Sequence, residues 1–256
     1  MAATKTIGDC ELYLGDSYEI MSEISRVDAV ITDPPYGCTD NEWDRELDFS
    51  RFWPLAYASA KKNAAFCVFC MSRFAGRLWQ SNQKDFRYDY VYKKPVLSGF
   101  LNAKKNPLRA HELVYVFYRK LPTYNPQMRP GKPYRKITST GSTNYSKFDT
   151  ILSVNPYGDR YPLSIIDVRH ENTFYMKKEF ERHPTQKSVA ALSFLIKTYT
   201  NPGDVVLDPF MGSGSTGVAC VQTGRRFIGV ELERNWFNVA CARIESAYRE
   251  LESPAA

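Results

Sequence analysis

No apolar run in this sequence approaches the roughly 20 residues that a membrane-spanning helix needs; the most apolar stretches, residues 63–72 and 188–196, are far shorter. The first ten residues lack a basic head and an apolar stretch, so no secretory signal is expected there. Histidine is scarce. The three histidines (His111, His170 and His183) are widely spaced, so no metal site is expected. The six cysteines are scattered: Cys10, Cys38, Cys67, Cys70, Cys220 and Cys241. Cys67 and Cys70 form a C-x-x-C pair inside an apolar run that reads as a buried strand. Residues three apart on a strand face opposite sides, and no second Cys/His pair completes a metal set. The thiols therefore read as reduced and buried, as in a cytoplasmic protein.

With 43% hydrophobic residues and 24% charged residues over 256 positions, a packed core is expected rather than disorder. The net charge of +6 is unevenly spread. Residues 84–182 carry 19 Lys and Arg against 9 Asp and Glu, whereas the rest carries 15 against 19. The basic middle is interleaved with tyrosines, among them Tyr115, Tyr118, Tyr124, Tyr134, Tyr157 and Tyr161. A solvated surface would also look like this, but the combination leans toward a nucleic-acid face.

Hydrophobic periodicity predicts strands at 11–14, 27–32, 65–70, 88–92, 113–118, 205–207 and 227–230. Helices are predicted from about Phe49, over 73–80, over 188–200, after the glycine-rich turn to near Gly224, and at the C-terminal end, where Phe237, Ala240, Cys241, Ile244 and Tyr248 recur at helical spacing. Strands alternating with helices predict an α/β fold with a doubly wound, mostly parallel sheet. Residues 122–182 are rich in Pro, Gly, Asn, Ser, Thr and Tyr without a sustained period, and read as an irregular insertion.

Two motifs flank that insertion. Asp33-Pro34-Pro35-Tyr36 follows the apolar run 27–32. As a bland turn it would be unremarked, since Asp-Pro starts turns readily. Yet the carboxylate stands at the carboxyl end of a strand, where open α/β sheets bind ligands. The two prolines hold the Asp33 side chain and the Pro34 carbonyl in one orientation, and Tyr36 adds a flat ring. Two acceptors and a ring suit an exocyclic amine on a planar base. The second motif, Asp208-Pro-Phe-Met-Gly-Ser-Gly-Ser-Thr-Gly217, places Gly212, Gly214 and Gly217 in a G-x-G-x-x-G pattern, with Glu231 standing 19 positions after Gly212. That pattern alone is compatible with a dinucleotide site, the acid binding ribose hydroxyls and the helix N-terminus favouring a negative group.

Together, Asp33-Pro34-Pro35-Tyr36 and Asp208-Pro-Phe-Met-Gly-Ser-Gly214 resemble the amino-methylating DNA methyltransferases that use S-adenosylmethionine, in the order of the β group. The resemblance covers nearly the whole chain. His183-Pro-Thr-Gln-Lys187 is similar to the family's segment at the methionine end of the cofactor, and Gly15-Asp16 to its adenine-contacting turn. Phe100-Leu-Asn-Ala-Lys-Lys105, Arg109-Ala-His-Glu112 and Pro122-Thr-Tyr-Asn-Pro-Gln127 resemble a subgroup common in bacteriophages and prophages. Ser188 replaces the family's usual proline and Tyr92 a frequent tryptophan, neither at the expected chemistry. The resemblance implies a seven-stranded Rossmann-like methyltransferase fold. Residues 1–121 would form its catalytic half, 122–182 a target-recognition insertion and 183–256 its cofactor-binding half.

By that resemblance the reaction is site-specific methylation of adenine N6 in duplex DNA, with Asp33 rather than Ser favouring adenine over cytosine N4. Asp33 and the Pro34 carbonyl would accept the two amine hydrogens, Pro35 would stiffen the turn, and Tyr36 would stack on an extruded base. No covalent intermediate is needed, so Cys38 has no nucleophilic role. The cofactor would be held by Asp16, His183, Thr185, Lys187, Asp208, Phe210, Gly212, Gly214, Ser215 and Glu231. Trp43 and Asp44 would line the base pocket or pack in the core, and His111-Glu112 reads as structural. Lys104, Lys105, Arg109, Arg129, Arg135 and Arg160 are the candidate DNA contacts, mostly to phosphate. Dimers are common in the family, and any restriction endonuclease would be a separate chain. Two readings from other classes compete. An NAD-dependent oxidoreductase leaves the tetrapeptide unexplained, and a non-catalytic DNA-binding protein leaves it unused.

Overall fold

The protein is described from a computed structural model covering residues 3–37, 46–138, 151–168 and 186–252. Cys38, Trp43, Asp44, His170, His183 and Thr185 lie outside the described residues. The elements run β1 (Lys5–Ile7), β2 (Cys10–Leu14), α1 (Ser17–Met21), β3 (Val27–Thr32), α2 (Phe49–Ser59), β4 (Ala60–Cys70), α3 (Ser72–Ser81), β5 (Phe86–Ser98), a 3-10 turn (Phe100–Asn102) and β6 (Arg109–Phe117). After these come β7 (Tyr134–Thr138), β8 (Ile151–Asn155), β9 (Ile165–Ile166), α4 (Val189–Tyr199), β10 (Val205–Asp208), α5 (Ser215–Thr223), β11 (Arg226–Glu231) and α6 (Arg234–Glu252).

Strand alternation builds two cores. On β3, Ala29 and Ile31 join one buried cluster while Val30 joins the other, as the period of two requires; Val27 also joins the second, across a register shift between Val27 and Ala29. The first cluster is covered by α4, α5 and α6 through Leu192, Leu195, Ile196, Ala219, Ala240 and Ile244. The second is covered by α1, α2 and α3 through Met21, Phe52, Trp53, Phe74 and Leu78. Cys67 belongs to the first and Cys70 to the second, so the C-x-x-C pair does face opposite sides of its strand. Burial pushes the Cys70 thiol above its ordinary value, so both cysteines pack as apolar groups.

Among the described residues the main sheet has nine strands in the order β1-β2-β11-β10-β3-β4-β6-β5-β9. The seven predicted strands form its body, and the short β1 and β9 extend it at the two edges. Pairings from β2 across to β4 are parallel, while β6 runs antiparallel to both β4 and β5. The chain passes from β3 outward to β4, and from β10 outward to β11 in the opposite direction. β3 and β10 are hydrogen-bonded neighbours, with Val206 opposite Ala29 and Leu207 opposite Val30. The crevice beyond their carboxyl ends is therefore the sheet's switch point.

The chain divides into two compact units, Met1–Asn125 with Ser164–Ala256, and Pro126–Leu163. The smaller unit is not wholly irregular: β7 and β8 pair antiparallel, Tyr134 opposite Asn155 through Thr138 opposite Ile151. Ile137, Leu152 and Val154 are exposed, so no buried face imposed a readable alternation. No helix among the described residues is long and apolar enough to cross a membrane.

Candidate active site

The fully buried end of β3 delivers Asp33 to the switch point. Its Oδ1 accepts the Tyr36 hydroxyl at 2.5 Å, and its Oδ2 accepts the Lys187 ammonium. The Tyr36 ring stacks on Phe74, centroids 4.8 Å apart, so one of its faces is already covered. The Lys187 ammonium also lies 3.1 Å from Glu112 Oε2, and Glu112 Oε1 pairs with Lys94 at 2.9 Å. Four charges from four segments thus alternate in sign: Lys94 on β5, Glu112 on β6, Lys187 before α4, and Asp33 after β3. Lys187 and Glu112 are almost fully buried, with side-chain exposures of 9% and 7%. Among the described residues, the Lys187 ammonium at 3.1 Å is the nearest partner of Glu112 Oε2.

The electrostatics follow from two carboxylates sharing one central cation. Burial raises Asp33 above its ordinary value, and the Lys187 charge only partly offsets it while Glu112 adds to the rise. For Glu112 burial works the same way, but the Lys187 and Lys94 ammoniums outweigh it and hold the group below its ordinary value. Burial alone would lower Lys187; Asp33 and Glu112 reverse that and raise it. The proton affinity of the cluster is thus concentrated on Asp33 and Lys187.

The glycine-rich turn lies on the other side of the crevice. Gly212 and Gly214 have φ of 52° and 77°, a left-handed backbone that favours glycine. A Cβ on Gly214 would sit 2.8 Å from the Ala240 Cβ, so α6 also demands glycine there. Glu231, at the end of β11, accepts the Gly212 amide at 2.9 Å on Oε2 and the Glu233 amide at 2.8 Å on Oε1. Gly15 N donates to the Glu231 carbonyl at 2.9 Å, which brings Asp16 to the same end of the sheet. Asp16 Oδ1 caps α1 by accepting the amides of Tyr18 (2.8 Å) and Glu19 (3.2 Å). Phe210 is half-buried, 6.4 Å from the Phe52 ring. Ser213 donates to Gln186 Oε1 at 3.2 Å, tying the Lys187 segment to the turn.

Several residues sit differently from expectation. Lys187, expected at the methionine end of a cofactor, lies on Asp33 and Glu112. Asp208 is 3% exposed and spends its carboxylate inside the protein: Oδ1 accepts the Thr32 hydroxyl at 2.7 Å and the Phe210 amide at 3.1 Å, and Oδ2 the Thr216 hydroxyl at 2.6 Å. It braces β3, β10 and α5 together rather than facing the crevice. Arg129 donates to the Tyr161 carbonyl, and Arg160 to the carbonyls of Gly158 and Lys132. Both hold the smaller unit's own backbone. Arg135 is exposed on β7, Lys104 and Lys105 are exposed beyond β5, and Arg109 donates to Ser72 Oγ at 2.7 Å.

Two residues were missed. Glu112, read as structural, is part of the charge chain, whereas His111 beside it is exposed. The signal was alternation, since Glu112, Val114 and Val116 share the inward face of β6, and a buried charge needs a partner. Arg243 on α6 donates to Ser213 O (2.5 Å), Ser213 Oγ (2.9 Å) and Ser215 Oγ (3.1 Å). Its position on the apolar stripe with Ala240, Ile244 and Ala247 was legible. Burial lowers it to about 10, and it fixes the turn from behind.

Asp208 supplies a pH test of this wiring. Burial raises it from 3.8 to about 6 against the pull of its three donors. A folded pKa above the unfolded one contributes stability below about pH 4 that is lost as pH rises through about 6. The native protein should therefore gain on Asp208→Asn by on the order of 1–2 kcal/mol in urea unfolding between about pH 8 and pH 4.5. A pH-independent difference would count against this assignment.

A sheet with this switch point, a buried carboxylate on one side of the crevice and a glycine-rich turn on the other, is the arrangement of α/β enzymes that bind a nucleotide cofactor beyond the strand ends. Within that class, residues 27–241 match the DNA methylase family, N6_N4_Mtase, and the chain belongs to it. It is 25% identical over 248 residues to the Type II methyltransferase M.HpaI of Haemophilus parainfluenzae, covering 90% of this chain and 72% of that one. A segment of 73 residues, 28% of this chain and 25% of its relative, is 44% identical to the DNA adenine methyltransferase YhdJ of Escherichia coli K12. The crystal structure of the M1.HpyAVI-SAM complex superposes with a TM-score of 0.58 at 26% identity, covering 92% of this chain and 98% of that one. The cytosine-N4-specific PvuII DNA methyltransferase shares the fold, with a TM-score of 0.66 at 18% identity over 98% of this chain and 95% of that one. The protein is a DNA methyltransferase of the N6/N4 family.

Proposed function

We propose that this chain methylates the N6 amine of adenine at a specific site in duplex DNA, using S-adenosylmethionine, in the cytoplasm. The observation that carries the proposal is that Asp33 Oδ2 already accepts a hydrogen bond from a nitrogen, the Lys187 ammonium, which supports its reading as an acceptor for an amine. Two considerations favour adenine over cytosine N4: aspartate rather than serine at position 33, and the segment shared with a relative named as an adenine methyltransferase.

The crevice suits the cofactor chemically. Asp16 keeps Oδ2 for an adenine amine, Glu231 retains lone pairs for ribose hydroxyls, and the turn at Gly212, Gly214 and Ser215, before α5, suits a carboxylate. Phe210 would pack beside it, and His183 and Thr185 are carried over from the family resemblance. When bound, S-adenosylmethionine supplies an electrophilic methyl group on a sulfonium. Asp33 and the Pro34 carbonyl accept the two amine hydrogens, which localises the nitrogen lone pair and stabilises the positive charge that develops there. The incoming amine displaces Lys187 from Asp33, and Glu112, 3.1 Å away, receives the ammonium. Asp33, raised by burial, takes the proton the methylated nitrogen sheds. Tyr36 would stack on the extruded base.

Residues 122–182 would read the target, with Lys104, Lys105, Arg109 and Arg135 on phosphates and smaller contributions from Arg129 and Arg160. Incubation with methyl-labelled cofactor and unmodified genomic DNA, followed by nucleoside analysis, should place the label in N6-methyladenine. Label in N4-methylcytosine would reassign the base, and no label would refute the activity.

A further inference from the structure

We infer that the tip of the β5–β6 hairpin is a wedge that enters the DNA duplex, with Phe100 and Leu101 filling the gap left by the extruded base. The inference rests on the methyltransferase reading above. β5 is antiparallel to β6, and β6 to β4, so β5 points the same way as β4 and β3. Its far end therefore leaves the sheet at the edge that carries Asp33. The base of the hairpin is already part of the site, because Lys94 and Glu112 lie on it and reach Lys187. Phe100 is six residues beyond Lys94, a span of at most about 20 Å.

The tip is unusual in composition. Leu101 is fully exposed and Phe100 63% exposed, with Val96 and Leu97 at 47% and 41%. Single exposed apolar residues are ordinary, but here four fall within six positions at the end of a hairpin. Gly99, with φ of 92° and nothing near its missing Cβ, permits the sharp turn that presents them. From Lys93 to His111 the sequence holds five Lys and Arg and no Asp or Glu. Lys93 and Lys94 are paired with Asp167 and Glu112, so Lys104, Lys105 and Arg109 form the cationic collar; an apolar tip beside them is complementary to a polyanion with an apolar interior, and stacked DNA is one. Extruding a base to reach Asp33 costs unstacking energy, and an apolar side chain in the vacated space recovers part of it. Lys104 and Lys105, immediately after the wedge and exposed, are placed to hold the flanking phosphates.

The test compares native with heat-denatured genomic DNA, because only a duplex has a stack to fill. The full chain and the double variant Phe100→Ala/Leu101→Ala are assayed for transfer of labelled methyl to each. The wild type should label both DNAs. The variant should lose about tenfold or more on native DNA, the scale of about 1.4 kcal/mol, and stay within about twofold on denatured DNA. The exposed positions make a folding defect small, and an unchanged Tm checks this. Equal rates for variant and wild type on native DNA, or an equal fall on both DNAs, would overturn the wedge and assign the tip to another surface such as a second copy of the chain. Absence of labelling by the wild type on either DNA would instead overturn the methyltransferase reading, and the wedge with it.

Discussion

Asp33→Ala is expected to abolish methyl transfer while leaving S-adenosylmethionine bound. In the proposed mechanism the carboxylate is one of two acceptors for the target amine. Removing a preorganised group of this kind costs about a hundred- to a thousandfold in rate. Asp33 adds the proton-accepting role that its raised pKa favours, so the loss should lie at or beyond the upper end of that range. The proposed cofactor groups, Asp16 after β2, Glu231 at the end of β11 and the Gly212–Gly214 turn after β10, make no hydrogen bond to Asp33 among the described residues, so affinity measured by calorimetry should stay within about twofold, under about 0.5 kcal/mol. Asp33→Asn keeps one acceptor but turns an amide N–H toward either Lys187 or Tyr36, and should retain only residual activity. Wild-type turnover by Asp33→Ala would remove the residue from the chemistry.

Lys187→Met should destabilise the fold by about 3–5 kcal/mol, the scale for removing one partner of a buried ion pair. The ammonium serves both Asp33 and Glu112, and without it two carboxylates face each other with only Lys94 as compensation. In the native protein Lys187 is raised above 10.5, so its stabilisation is fully present below that value and is lost only at more alkaline pH. In the variant the carboxylates would titrate above their unfolded values, and stability would fall as pH rises through them. The deficit should therefore be smaller at about pH 5 than at about pH 8, as read from urea unfolding midpoints. A deficit below about 1 kcal/mol, or one that grows on acidification, would contradict the buried charge chain.

The parts of this molecule that were legible in the sequence are those specified by short-range pattern. The body of the sheet follows from buried runs such as Val27–Thr32 and from α4, whose Leu192, Leu195, Ile196 and Tyr199 do line the core. β1 and β9 escaped because three and two residues carry no period, and β7 with β8 because their apolar side chains are exposed. The tetrapeptide was visible, but its environment was not. Lys187 meets Asp33 across 154 positions, and nothing local in either segment encodes that pairing. Asp208 was correctly seen as part of the turn motif, whereas its service to Thr32, 176 positions away, depends on β3 and β10 being neighbours. Contacts that depend on sheet topology thus left no local signal in the sequence.

The most direct test compares the methylomes of a host expressing the wild-type chain and one expressing Asp33→Ala, read by single-molecule sequencing. The expected result is N6-methyladenine at one defined sequence with the wild type and at none with the variant. N4-methylcytosine, an unmodified genome with the wild type, or the same N6-methyladenine pattern in both hosts would contradict it.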